Sequence, residues 1–144
     1  MRLAAIFLGI TVISACSDKP TVDERATLIA DAENRVVLPE GSGSLACYKR
    51  VYSIVDVPNS YFGKRYLVGE YHLATPYMGE APGEYEPGVS WQEREDLTMG
   101  FLDQGCRTLW FQYAIDDIDR SVQAVCAPTI DGSIPAKVDP PVDC

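Results

Sequence analysis

The chain has 144 residues, with 21 acidic side chains against 12 basic ones and a formal net charge of −9. A chain this acidic repels phosphate backbones, which excludes nucleic acid as a partner and makes anionic lipid head groups a poor docking surface. Five cysteines without a Cys-x-x-Cys spacing, and a single histidine, supply no ligand set for zinc or an iron–sulfur cluster, so no cofactor or metal is expected.

The first sixteen residues set the context for the rest. Arg2 gives a minimal positive start, and Leu3 to Ile13 forms an apolar run of about 11 residues, long enough for a signal-peptide core and too short to span a bilayer. The run ends in Ile13-Ser14-Ala15-Cys16. That segment resembles the lipobox of bacterial lipoproteins: an aliphatic residue, two small residues and a cysteine. Small residues let the signal peptidase approach the backbone, and only a thiol can be alkylated by diacylglycerol. The resemblance implies cleavage before Cys16, acyl chains on that residue and an address in the cell envelope. Two or three chains anchor stably, because each buried CH2 contributes about 0.8 kcal/mol and one chain alone is marginal. Ser17 stands where some bacteria read an aspartate as an inner-membrane retention signal, so the outer membrane is expected rather than the inner. Removing 15 residues and Arg2 with them leaves 129 residues, with 11 basic against 21 acidic side chains, enough for one domain with a modest core.

From Ser17 the chain is polar. Thr21-Val22-Asp23-Glu24 has the spacing of a capping box and predicts a helix to about Asn34, with a thin apolar face of Val22, Ala26, Leu28, Ile29 and Ala32. Such a helix is marginal alone, and a disordered spacer reads equally well. Pro39-Glu-Gly-Ser-Gly-Ser44 has linker composition. Residues 16–44 therefore read as a flexible or marginally helical lipid-anchored tether.

After Ser44, short β-branched and aromatic runs are cut by glycine and proline, which predicts an all-β domain over 45–144, a small sheet, sandwich or partly open barrel. Strand candidates are Leu45–Val57, Arg65–Leu73, Trp91–Met99, Arg107–Ile115 and Ser121–Cys126, with Val57-Pro58 and Thr75-Pro76 as stops. Within 107–126, a four-residue loop at Asp116–Asp119 puts Ile115 opposite Arg120. Leu109, Phe111, Tyr113 and Ile115 then share a core face with Val122, Ala124 and Cys126.

With Cys16 assigned to lipid, Cys47, Cys106, Cys126 and Cys144 remain, an even number in an oxidising compartment, which predicts two disulfides. By strand parity Cys106 faces away from Cys126, so that pair is disfavoured. Cys47–Cys126 with Cys106–Cys144 is the preferred pairing, and Cys47–Cys106 with Cys126–Cys144 is the alternative.

Residues for catalysis are scarce. Glu84 and Glu86 sit in a Pro/Gly loop, and Glu93 and Glu95 alternate with Gln92, Arg94 and Asp96 as on a solvated strand face, not as a glycosidase pair. Asp116, Asp117 and Asp119 lack the glycine and distal glutamate of an EF-hand loop. A serine triad would need His72, which reads as a half-exposed strand residue, and no Gly-x-Ser-x-Gly elbow exists. Tyrosines carry more signal. Several of them belong to a core, but Tyr61, Phe62, Tyr77 and Tyr85 fall in Gly/Pro loops, where exposed aromatics serve contact surfaces.

Cys47-Tyr-Lys-Arg-Val-Tyr52, Val57-Pro-Asn-Ser-Tyr61, Arg65-Tyr-Leu-Val68 and Ala81-Pro-Gly-Glu-Tyr-Glu86 together resemble a pattern in some envelope proteins, part of which also carry a peptidoglycan-binding domain. The resemblance implies an envelope setting and no particular functional residue. The sequence thus predicts a non-enzymatic envelope lipoprotein, held in the membrane through acyl chains on Cys16, that binds an envelope protein or cell-wall partner through its tyrosine-rich loops. An envelope-protective inhibitor or scavenger using the acidic 80–96 segment is the alternative, and a hydrolase using that segment is a third reading.

Overall fold

The computed structural model describes residues 19–57, 64–74, 87–95, 105–116, 121–139 and 141–143. They form a mostly β structure with one α-helix and two open sheets, in agreement with the expected fold class. The larger sheet has the order β4-β2-β3-β5-β7, built from β2 (Tyr48–Val57), β3 (Lys64–Leu73), β4 (Gly88–Trp91), β5 (Thr108–Ala114) and β7 (Val125–Cys126). β1 (Val36–Val37) and β6 (Val122–Gln123) pair in parallel as the smaller one. β2 ends where Val57-Pro58 predicts.

The helix α1 (Val22–Arg35) starts on the expected capping box. The Thr21 N–H donates to Glu24 Oε2 at 2.7 Å, and the Glu24 N–H donates to Thr21 Oγ1 at 3.3 Å. Thr21→Ala should therefore lower stability by about 1 kcal/mol, read as a shift of the urea midpoint at constant m-value.

What the sequence reading missed is that α1 lies on the sheet. Ala32 is buried in the core cluster, with Leu28 and Ile29 packed against it. Arg25 stacks over Trp91 at 5.1 Å, Glu33 accepts from Arg50 at 2.6 Å, and Asp31 accepts from the Tyr113 hydroxyl at 3.1 Å. From Thr21 onward, the expected tether is part of the folded unit.

The same correction applies to Pro39–Ser44. The Gly41 amide oxygen accepts from the Val142 N–H at 2.8 Å, and Glu40 accepts from Val138 at 2.8 Å, so the carboxyl-terminal stretch is laid along this segment. Gly41 has φ +85°, and a Cβ there would stand 2.6 Å from the Val138 carbonyl oxygen. Glycine is used here for close approach, which composition does not separate from flexibility.

The aromatic core lies between α1 and the sheet. Register sets Tyr52, Gly69 and Phe111 side by side across β2, β3 and β5. Phe111 meets Tyr71 edge-on at 5.3 Å and Tyr52 at 6.4 Å, and stacks on Tyr113 at 6.4 Å. Leu109, Phe111, Tyr113, Val122, Ala124 and Cys126 are all buried, the face assigned from the sequence.

The expected register holds for the end of the hairpin, with Leu109 opposite Cys126 and Trp110 opposite Val125, but the expected strand Ser121–Cys126 is split, and Val122–Gln123 pair with β1 instead of β5. The disulfide inference drawn from that register does not hold. Cys106 and Cys126 are bonded to each other, with Cα atoms 4.4 Å apart. Parity carries only along extended backbone, and residues Gly105–Arg107 form a 3₁₀ turn before β5 that swings Cys106 back over Cys126. Both pairings proposed from the sequence are thereby excluded. Cys47 is also disulfide-bonded, and its partner, like Cys144, lies outside the described residues.

The third expected strand, Trp91–Met99, is displaced in its described part. β4 covers Gly88–Trp91 instead of beginning at Trp91, and residues 92–95 leave the sheet after Gln92 donates to the Tyr52 carbonyl at 2.8 Å. The alternation Gln-Glu-Arg-Glu has strand period without strand pairing.

Candidate functional site

At the end of the sheet where β2 runs out and α1 begins, Lys19, Pro20, Ile54, Asp56 and residues 91–95 border an open cleft of about 350 Å³. Its floor is Trp91, held from one side by the Arg25 guanidinium. Glu93 ties the cleft to the start of the helix, at 3.4 Å from Arg25 and 3.6 Å from Lys19. Glu93 and Glu95 are exposed, solvated as expected but not on a strand. They project from an irregular segment, and the cleft mixes both signs of charge with one large aromatic. That suits a contact surface for a polar partner.

Behind β3, on the side away from α1, sits a second polar group. Glu70 is 3% exposed and His72 6% exposed, which corrects the expectation of a half-exposed histidine. On a strand with one polar face, a histidine at this position would be half-exposed, but both faces of β3 are buried from Leu67 to His72. The Arg94 guanidinium donates a short hydrogen bond to Glu70 Oε1, and His72 Nε2 lies 3.8 Å from Glu70 Oε2. His72 Nδ1 is 3.2 Å from the Thr108 hydroxyl. Burial by itself would raise the Glu70 carboxyl, but the hydrogen bonds from His72 and Arg94 and the guanidinium charge outweigh it and hold it below the usual range. Acid, imidazole and hydroxyl are thus in one chain, yet Thr108 is 2% exposed and no substrate carbonyl can reach its oxygen. The chain locks β3 to β5 and draws the segment bearing Arg94 against the sheet.

A third network underlies α1. Tyr52 donates to Glu33 at 3.0 Å, and the Tyr71 hydroxyl, 3.0 Å away, donates to Tyr52, whose one proton is already committed. Burial pushes Tyr71 up to about 12 and raises Tyr52 and Tyr113 as well. A phenol whose folded pKa exceeds its unfolded value of about 10 contributes stability that is complete below pH 10 and lost as pH climbs towards 12. Titration followed at 295 nm should show these tyrosines ionising only together with unfolding in that interval.

Of the residues singled out from the sequence, Cys16, Tyr61, Phe62, Tyr77, Tyr85, Glu84, Glu86, Asp117, Asp119 and Cys144 lie outside the described residues. Tyr48, Tyr52 and Tyr71 are core, as some tyrosines had to be. Sequence reasoning missed Glu33, Arg50, Asp31 and the Glu70–Arg94 pair, each of which joins distant segments. The one available signal was the shared parity of Tyr48, Arg50 and Tyr52, which places an arginine among core aromatics and demands an acidic partner.

Comparison with known proteins finds no matching family model, no similar curated protein and no similar solved structure.

Proposed function

We propose that this chain is a lipid-anchored, non-enzymatic protein of the bacterial cell envelope, outer membrane rather than inner, that binds another envelope component. The address comes from the lipobox at Ile13–Cys16. The observation that supports the binding role is the solvent-open cleft around Trp91, where an aromatic ring and charged side chains of both signs lie together. Tyr61, Phe62, Tyr77 and Tyr85 remain the proposed contact surface. The Trp91–Glu95 cleft favours the second reading, in which the acidic 80–96 segment engages a basic envelope protein as an inhibitor or scavenger would. Binding through that segment should weaken steeply with salt, whereas aromatic contact should change little.

The start of the fold at Thr21 changes what the anchor does. Only residues 17–20 separate Cys16 from the helix N-cap, a reach of at most about 17 Å when fully extended. An acylated Cys16 would hold the domain against the bilayer, with the cleft beside Lys19 and Pro20 on the membrane-proximal side. Cys16→Ser should abolish palmitate incorporation and leave uncleaved precursor; normal processing of that variant would remove the lipoprotein reading.

A further inference from the structure

β4 is an outer strand of the large sheet, and among the described residues no strand pairs with its far edge. The rung from the Gln92 N–H to the Tyr52 carbonyl, with Trp91 opposite Tyr52, fixes the phase of the parallel ladder. Gly88, Ser90 and Gln92 turn their backbone groups towards β2, so the N–H and C=O groups of Val89 and Trp91 point away from the sheet. Val89 is 47% exposed, an apolar side chain in the middle of an open edge. Such edges are templates for pairing unless covered or broken. The opposite outer strand, β7, is two residues long and held by the Cys106–Cys126 bond, which makes β4 the available edge.

We propose that the edge of β4 receives an extended, cationic segment of a partner protein, paired through the backbone of Val89 and Trp91. Backbone pairing would supply affinity, and the flanking side chains would supply selectivity. The sign of the partner follows from charge. Glu93 is already held by Lys19 and Arg25, but Glu95 is exposed just past the edge, and in sequence the strand is flanked by Glu84 and Glu86 before it and by Glu95 and Asp96 after it, on a chain of net charge −9. A second copy of so acidic a chain would meet like charge with like. This inference rests on the binding-module reading and gives it a mode of contact.

The probe is an eight-residue peptide of alternating lysine and valine. Its control has the same sequence N-methylated at every second residue, which keeps the charge and blocks the ladder. Amide hydrogen exchange is followed residue by residue on the mature chain. At saturating unmodified peptide, exchange at Val89 and Trp91 should slow at least ten-fold, with no comparable change at Val125, and the control should leave both amides as they were. Val89→Pro removes an outward N–H and no existing rung, so the variant should fold and bind the peptide at least ten-fold more weakly. Equal binding of the two peptides would reduce the interaction to charge attraction and overturn the proposal. Protection of Val89 and Trp91 that grows with protein concentration in the absence of peptide would identify a second copy as the occupant and overturn it as well. Lack of protection alongside crosslinks to an envelope partner elsewhere on the chain would discard the edge and leave the binding-module reading standing.

Discussion

Gly69→Ala is expected to destabilise the fold by about 3 kcal/mol, at the upper end of what overpacking a core costs. Gly69 stands in the middle of β3 between Tyr52 and Phe111, and a Cβ built there overlaps the Phe111 ring at Cε1 and Cζ. The ring has nowhere to retreat, because Tyr52, Tyr71 and Tyr113 enclose it. Glycine is a poor strand residue, so its presence at a central position is explained only by the aromatic that crosses it. Urea unfolding should show a lower midpoint with an unchanged slope. Truncating Phe111 to leucine in the same chain should recover part of the loss, since the two substitutions share one contact. Additive losses would mean that the ring and the glycine do not meet.

Removal of the Arg94 guanidinium should cost about 3–5 kcal/mol at neutral pH, because it leaves the Glu70 carboxylate buried beside β3 without its main cation. The pH dependence carries the sign of the effect. Glu70 has a folded pKa below its ordinary value near 4.5, so its contribution is complete above about pH 4.5 and is lost as the pH falls through the folded value. In Arg94→Ala the carboxyl faces burial with less compensation, and protonation relieves it. The gap between wild type and variant should therefore be widest near pH 7 and close as the pH falls below about 4. A gap that stays constant over that range would show that Arg94 acts through packing of its stem and not through its charge.

These two cases show where the sequence is legible. Local features read correctly: the Thr21–Glu24 capping box, the stop at Val57, and the register that sets Leu109 opposite Cys126. The first two are decided by residues within a few positions of one another, and the third by the alternation of side chains along a strand. Features settled by distant contacts did not read. α1 has a thin apolar face and looked like a tether until Arg25, Asp31 and Glu33 found Trp91, Tyr113 and Arg50. Gly41 looked like a linker because its role is to admit the backbone of Val138, almost a hundred residues away. Cys106 was placed by parity, and a single 3₁₀ turn cancels parity. For the site, the exposed acidic residues of 91–95 were visible as composition, but the edge of β4 beside them depends on a strand shifted by three residues from its expected start.

Photo-crosslinking in the native cell tests the proposed envelope-binding role most directly. A photoreactive residue is placed at Tyr85, with a second variant at Val89, and adducts are purified under denaturing conditions and identified by mass spectrometry. One recurrent envelope protein, captured from the wild-type leader and lost when Cys16→Ser prevents anchoring, is the predicted result. Full incorporation of the probe at both positions with no adduct would contradict the account.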